Sequence, residues 1–302
     1  MRPRLVLLLA TFALLAGCSI RKFALNQVAD ALSATSDTFG SDDDPELVAE
    51  AAPFSLKLIE AVLAETPEHR DLLLTASASF TQYAYGFLRQ RADELADHDL
   101  AAARALRARV RNHLRRGRDY GMRALEVDHP GFRGEFARDP RRAVWRIDAP
   151  ADVALLYWTA ASWGLLISEA KDDPSLVADQ PSVEALIDRA LELRADHDRG
   201  AIHGFLISYE MSRKTTQGDP VPRARQHYAE ANRLAGGKLA AHHLALAENV
   251  ALGRGDKAEF QALLNLALQV DPDAVPTWRL QNLLAQRRAR WLLGRIDDLF
   301  VD

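Results

Sequence analysis

Apolar residues recur every three or four positions through most of the chain. This spacing places them on one face of an α-helix, which completes a turn about every 3.6 residues. The clearest sets are Leu72, Ala76, Phe80, Tyr83 and Phe87, and then Val153, Leu156, Tyr157, Ala160, Trp163, Gly164 and Ile167. No convincing run alternates polar with β-branched residues, as a half-buried strand would. We therefore predict an all-α fold.

Five amphipathic segments share one shape, a helix that runs into an acidic, glycine or proline turn. They end at Thr66-Pro67, His129-Pro130, Arg194-Ala195-Asp196, Gly236-Gly237 and Asp271-Pro272. These endings resemble the second helix of a tetratricopeptide repeat, although the spacing nears the period of about 34 residues only in the C-terminal part. Stacked helix pairs bury apolar faces that one pair cannot bury alone. We expect degenerate repeats stacked as an α-solenoid or a compact helical array, with an irregular helical bundle as the alternative.

Proline marks several expected helix boundaries. Asp44-Pro45 has the pattern of an N-cap followed by the first helical residue, and prolines also stand at the start of helices predicted near Gln180 and Val275. Pro53 lies inside an otherwise helical segment, where it removes a backbone donor. We expect a kink or break there.

The first residues have the composition of a bacterial signal peptide. Arg2 and Arg4 precede an apolar run, Leu5–Ala16, that is too short to span a bilayer as a helix. The run ends in the letters LAGC, where the last letter is Cys18. This ending resembles the lipobox of bacterial lipoproteins, in which the peptide is cut before the cysteine and the cysteine is acylated.

Cys18 is the only cysteine of the chain, so an exported protein could not place it in an internal disulfide. We expect residues 1–17 to be a lipoprotein signal peptide, residues 18–40 a lipid-anchored segment with the first helix, and residues 41–302 the helical repeat-like domain. The alternative is a secretory peptide with an incidental cysteine. The anchored protein would face the periplasm, and Ser19 in place of Asp favours the outer membrane under lipoprotein sorting rules.

Charge and motif content argue against several functions. The full chain has a net charge of −4, and removal of Arg2 and Arg4 leaves 36 basic against 42 acidic residues, or −6, which argues against nucleic acid as a partner. The sequence contains no Gly-x-Ser-x-Gly elbow, phosphate-binding glycine loop or His-Glu-x-x-His pair. The adjacent His242 and His243 point to different helix faces. We therefore predict no catalytic residues, no cofactor and no metal site.

Two clusters are candidate contacts for a partner or ligand. Asp42, Asp43 and Asp44 stand at a helix start, where they either cap the helix or contact a cation or partner. Tyr157 and Trp158 precede small residues and a further Trp163 within two helical turns. Trp158 lies about 100° around the helix from Tyr157, so the aromatic side chains cannot all face one way. Some would pack in the core, and at least one would line a cleft or inner surface.

Several segments together carry a resemblance to a known family: Cys18, the segments Ser41–Val48, Pro53–Lys57 and Phe80–Ala84, the stretch Leu156–Gly164 with Ile167, Ser168, Lys171 and Asp172 after it, and the segments Leu283–Leu293 and Asp297–Phe300. In this order they resemble the T-component lipoproteins of tripartite ATP-independent periplasmic (TRAP) transporters. The resemblance extends from Cys18 to the end of the chain.

The resemblance implies a helical-repeat lipoprotein without chemistry of its own. Such a protein would bind the transporter's solute-binding protein, with or without that protein's ligand, and would form homo-oligomers. Lys171 joins the candidate contacts on this basis. The alternative is a lipoprotein adaptor in outer-membrane or envelope assembly, whose helical repeats grip a peptide or barrel protein. A peptidoglycan or lipid hydrolase would need convergent acid and base groups, which the sequence does not reveal.

Overall fold

The computed structural model describes residues 25–34, 36–213 and 217–300. Of those residues, 79% are helical, and none lies in a strand. The expected all-α fold is confirmed. The predicted signal peptide and Cys18 lie outside the described residues.

The N-terminal part of the array contains the longest helices. Helix α1 includes residues 25–33 and is followed by α2 (Ser36–Gly40), α3 (Pro45–Glu65) and α4 (Arg70–Tyr83). A π-helical turn, Ala84–Arg89, connects α4 to α5 (Gln90–Leu95). Helix α6 (Leu100–Asp128) then runs for 29 residues. The next helices are α7 (Phe132–Phe136), α8 (Pro140–Trp145), α9 (Val153–Ser168), α10 (Pro174–Val177) and α11 (Gln180–Leu193).

The C-terminal part is built from shorter helices. They are α12 (Ala201–Tyr209), α13 (Val221–Ala235), α14 (Ala240–Leu246), α15 (Lys257–Gln269), α16 (Arg279–Leu293) and α17 (Ile296–Leu299). A π-helical turn, Ala247–Ala251, continues α14, and a 3-10 turn, Pro276–Trp278, precedes α16. Regular tetratricopeptide geometry stays a prediction.

Helix boundaries follow the local chemistry of the sequence. Asp44 caps α3 by accepting a hydrogen bond from the Leu47 backbone N–H at 3.0 Å, and proline occupies the first turns of α3, α11 and the 3-10 turn before α16. The chain does not break at Pro53, because α3 runs through it to Glu65. The buried face of α3, which includes Leu56 and Ile59, holds the helix against the core and offsets the missing backbone hydrogen bond.

Two large hydrophobic clusters form most of the core, and a third, small cluster contains Ala235, Leu239 and Trp278. The first is built mainly by α3, α4, α6, α9 and α11, and the second by α12 to α16; their buried members lie between Ala29 and Leu292. Helix α9 is the centre of the first cluster and is buried on most sides. Gly121 of α6 lies so close to α9 that an added Cβ would be 2.1 Å from the Thr159 Oγ1 atom. Glycine therefore permits the close α6–α9 approach.

The C-terminal helix α16 lies against the N-terminal helices α2 and α3. The Arg279 guanidinium donates to the Ser41 carbonyl at 3.0 Å, and Arg287 forms an ion pair with Glu46 at 3.0 Å. A Cβ added at Gly40 would lie 2.6 Å from the Thr277 carbonyl oxygen, so the backbones meet there. Segments more than two hundred residues apart in sequence thus close the array on itself.

Candidate functional site

The predicted acidic cluster divides into two residues whose carboxylates accept backbone hydrogen bonds and one whose carboxylate accepts none among the described residues. Asp44 caps α3, and the Asp42 Oδ1 atom accepts a hydrogen bond from the Asp44 backbone N–H at 2.8 Å. Asp43 is exposed and forms no hydrogen bond or ion pair within the described part of the chain. The capping alternative therefore accounts for Asp42 and Asp44, whereas the Asp43 carboxylate has no partner among the described residues.

Trp163, the last aromatic residue of the predicted cluster, is a core residue. Its side chain is buried, and its Nε1–H donates to the Asp179 carboxylate at 3.2 Å. The Arg118 guanidinium lies 5.1 Å from the ring centroid, and Phe136 packs at a centroid distance of 6.1 Å. These contacts fix α9 to α6, α7 and the segment before α11. Trp163 can therefore influence a docking surface only by holding its neighbours in place.

Tyr157 and Trp158 are half-buried and contact each other edge to face at 5.0 Å between ring centroids. Tyr157 also packs on His197 at 5.8 Å. Burial raises the pKa of the Tyr157 phenol, and the nearby Asp198 carboxylate and Tyr85 phenol raise it further. Tyr85 itself is 44% exposed. These aromatic side chains therefore form a partly exposed surface that does not include Trp163.

Lys171 lies in the loop that follows α9 and is exposed. Its ammonium group has no carboxylate partner within the described ranges, so it is accessible to an external anion. The structure gives no direct contact between Lys171 and Trp158 or Asp43. The predicted contact residues are therefore separate features of the surface rather than one cluster.

A network of alternating arginine and carboxylate side chains, which the sequence did not predict, joins α16 to helices earlier in the chain. Arg288 of α16 pairs with Asp93 at 2.7 Å and with Glu248 at 2.6 Å. Arg107 joins Asp93 to Glu169 at 2.5 and 2.9 Å. Burial lowers the pKa of Arg288, but the Glu248 and Asp93 carboxylates outweigh this effect and raise it above its ordinary value. The network therefore connects five segments of the chain, with its charges balanced by close partners.

Several histidines of the C-terminal part lie in the interior. His203 and His227, on α12 and α13, place their Nδ1 atoms 2.9 Å apart. His242 is 4% exposed, and its Nδ1 atom is 3.3 Å from the Asn232 side-chain oxygen. Burial lowers the pKa of both His227 and His242 to about 4, in each case with a smaller contribution from a neighbouring histidine. Within the described ranges, no group of three or more His, Cys, Asp or Glu side chains is arranged to hold a metal ion.

One helical stretch, Pro150–Ser168, is long and apolar enough to cross a membrane by length and composition alone. However, 61% of its most apolar window is buried inside the protein. This segment includes α9, the helix around which the first core cluster packs. Its apolar composition is therefore explained by its position in the core.

Comparison with known proteins identifies the family. A model of the TRAP transporter T-component family matches residues 41–300, which is most of the chain. An uncharacterized protein of Treponema pallidum (strain Nichols) is 27% identical over 310 residues, a span that covers 97% of this chain and 96% of that protein. The family is an accessory component of a transporter rather than a family of enzymes. From its helical fold and the extent of this match, the chain belongs to the TRAP transporter T-component family.

Proposed function

We propose that this protein is a lipid-anchored, periplasm-facing accessory protein of a TRAP transporter that binds the transporter's solute-binding protein. The observation that carries the proposal is the family match over residues 41–300, which associates the chain with the other transporter components. The lipobox-like ending at Cys18 supplies the anchor in this proposal, and Ser19 favours the outer membrane. Two or more acyl chains on one protein give stable membrane attachment.

We place the contact with the partner or its ligand on residues that the fold leaves accessible. Tyr157 and Trp158 are half-buried aromatic side chains, and a tryptophan at a protein interface can contribute about 2 kcal/mol or more to binding. Asp43 and Lys171 are exposed charges that would orient a partner during encounter. Asp42, Asp44 and Trp163 act indirectly in this proposal, because their polar groups already bind within the protein.

A pull-down with the full-length protein tests the partner. Detergent-solubilised protein should recover a TRAP solute-binding protein from a periplasmic extract of its own organism. Recovery of barrel proteins or assembly factors instead would replace the transporter proposal with the envelope-adaptor alternative. Size measurement of the purified protein would test the homo-oligomer that the family resemblance implies.

The Trp158→Ala variant tests the aromatic contact. We expect faster dissociation of the solute-binding protein with an unchanged melting temperature, because interface truncations act mainly on the dissociation rate. Trp163→Ala is the matched control, since loss of this buried ring should lower the melting temperature. If Trp158→Ala lowers stability as much as Trp163→Ala and leaves dissociation unchanged, Trp158 is a core residue and this contact is wrong.

Cys18→Ser tests the anchor. The variant should lose incorporation of a fatty-acid analogue that labels the wild-type protein and should leave the membrane fraction or remain uncleaved. Absence of label from the wild-type protein would show that the chain is not acylated.

A further inference from the structure

We infer that residues 131–147 form a further docking surface for an acidic face of the solute-binding protein, in addition to the accessible contacts proposed above, an inference that rests on the proposed function. This segment, here named the Arg–Trp knob, contains α7 and α8. It carries five arginines against two carboxylates, Glu135 and Asp139, and so has a local net charge of +3 in a chain whose net charge is −4. The local charge is therefore opposite to that of the whole protein.

Most of the arginines of the knob have no ion-pair partner among the described residues, although the charge of the Glu126 carboxylate also acts on Arg133. Arg146 pairs with Glu135 at 2.6 Å, and the Asp139 carboxylate is used to cap α8. The other four guanidinium groups are exposed and, among the described residues, have no carboxylate oxygen within 4.0 Å; they belong to Arg133, Arg138, Arg141 and Arg142. An acidic partner would relieve the mutual repulsion of these groups and would be steered toward them during encounter.

Trp145 supplies an apolar anchor among these charges. Its side chain is 70% exposed, whereas tryptophan side chains are highly buried on average. The Arg189 guanidinium lies 5.0 Å from the ring centroid and so limits the positions that the ring can adopt. Tryptophan and arginine are the residue types most enriched among those that dominate binding energy at protein interfaces.

The knob also contains a surface cleft that a side chain of the partner could enter. The cleft has a volume of about 300 Å³ and is lined by Glu135, Arg138, Asp139 and Arg142. Arg142 precedes Trp145 by three residues on α8, and side chains at this spacing are neighbours on one helix face. A partner side chain that enters the cleft would thus lie beside the indole ring.

The backbone of the knob is held rigidly. The Glu126 carboxylate accepts hydrogen bonds from the Gly131 and Arg133 backbone N–H groups, both at 2.8 Å. Phe136 is buried against Trp163, and the Ile147 carbonyl accepts a hydrogen bond from the Arg189 Nε–H at 2.8 Å. A surface that is ordered before binding loses little conformational entropy in the complex, which favours recognition of a folded partner.

The composition of the knob favours a protein over a lipid surface. Trp145 is its one strongly exposed large apolar side chain, because Phe132, Phe136, Val144 and Ile147 are buried. Helices that lie in a membrane interface present a wide apolar face, whereas α8 has six residues and a single exposed aromatic ring.

The test measures association and dissociation rates of the purified solute-binding protein on immobilised full-length protein in detergent. The solute-binding protein should dissociate from the Trp145→Ala variant about tenfold faster or more than from the wild-type protein. The double variant Arg141→Glu/Arg142→Glu should associate about tenfold more slowly at low salt, and added salt should reduce this difference because it screens the charges. Melting temperatures should stay near that of the wild type, because the substituted side chains are exposed.

Matched controls come from elsewhere on the surface. Phe54→Ala removes a ring that is 73% exposed on α3, and Arg104→Glu/Arg109→Glu reverses two exposed charges on α6 that have no ion-pair partner among the described residues. Both should change the rates less than about twofold. If the wild-type protein binds and the knob variants bind equally well, the knob is not the docking surface and the proposed function stands. If the wild-type protein does not bind, both are overturned.

A vesicle assay separates the lipid alternative. A chain that begins at Ser19 retains every described core residue and lacks Cys18. This chain should not float with phosphatidylglycerol vesicles. If it floats and Trp145→Ala abolishes flotation, the knob is a membrane-binding surface and the inference is wrong.

Discussion

The Gly121→Ala substitution tests the close packing of α6 on α9. The added Cβ would lie 2.1 Å from Thr159 Oγ1, 3.0 Å from Thr159 Cβ and 3.1 Å from Ser77 Oγ. Thr159 is completely buried, and its hydroxyl donates to the Leu155 carbonyl at 2.6 Å. The side chain of Thr159 therefore cannot rotate away without loss of this hydrogen bond, so the two helices must separate.

The magnitude follows from two opposed effects. Alanine is favoured over glycine in an open helix by about 1 kcal/mol. Overpacking in a well-packed core costs about 1–3 kcal/mol and occasionally more, and the three contacts shorter than van der Waals distance place this site at the upper end. We expect a net loss of about 1–3 kcal/mol in the free energy of unfolding, which corresponds to a melting temperature lower by roughly 2–6 °C for a protein of this size.

Gly134→Ala in α7 is the matched control, since a Cβ at Gly134 has no neighbouring atom within 4 Å. It should leave stability unchanged or raise it slightly. Calorimetry or denaturant unfolding would measure both variants, and Thr159→Ala in the Gly121→Ala background should recover part of the loss, which a double-mutant cycle detects. Equal effects of Gly121→Ala and Gly134→Ala would refute the packing argument.

Two further predictions concern charges in the interior. Arg288→Ala leaves the Asp93 and Glu248 carboxylates, 11% and 15% exposed, without one partner each, so the free energy of unfolding should fall by about 3 kcal/mol or more. Arg287→Ala, at the more exposed neighbouring position, should lower the free energy of unfolding by less than about 1 kcal/mol. Equal losses for the two variants would show that the buried network does not stabilise the fold more than an exposed ion pair does. His242 takes up a proton near pH 6.5 in the unfolded chain but only near pH 4 in the folded chain. The stability that comes from keeping this side chain neutral is therefore fully present above about pH 6.5 and is lost as the pH falls toward 4. Denaturant unfolding between pH 7 and 5 should show a smaller loss of stability for His242→Asn than for the wild-type protein. His98→Asn, which replaces an exposed side chain, is the control substitution.

The sequence predicted the helices and many of their ends because these depend on local chemistry. The amphipathic segments that were expected to end at Thr66, Arg194 and Gly236 have C-caps at those residues. Asp44 and Pro45 begin α3 as predicted, through a cap that involves residues three positions apart. Such interactions are visible in any short stretch of sequence.

The ion network and the exposure of Trp145 could not be predicted in this way. Asp93, Glu248 and Arg288 meet only because α16 returns to the N-terminal helices, and their sequence positions form no motif. Trp145 ends a helix of only six residues, too short for periodicity to show which face is buried. A weak signal did exist for the α6–α9 contact, where Gly117 and Gly121 stand one turn apart in an otherwise arginine-rich helix.

The same limit applies to the predicted contact residues. Trp163 and Trp158 differ in burial because helices distant in sequence cover one ring and leave the other partly accessible. Periodicity placed the two side chains on different faces of the helix, but which other residues cover each face depends on tertiary packing. The binding role of Trp158 therefore requires a direct measurement.

The central claim is that this TRAP T-component binds the solute-binding protein of its transporter. Sedimentation velocity of the two purified proteins, with the full-length chain in detergent, tests it most directly. At about 10 μM of each protein, above the micromolar dissociation constants typical of transient interfaces, we predict a faster-sedimenting complex that contains both chains. Independent sedimentation of the two proteins at that concentration, with and without the transported ligand, would contradict the claim.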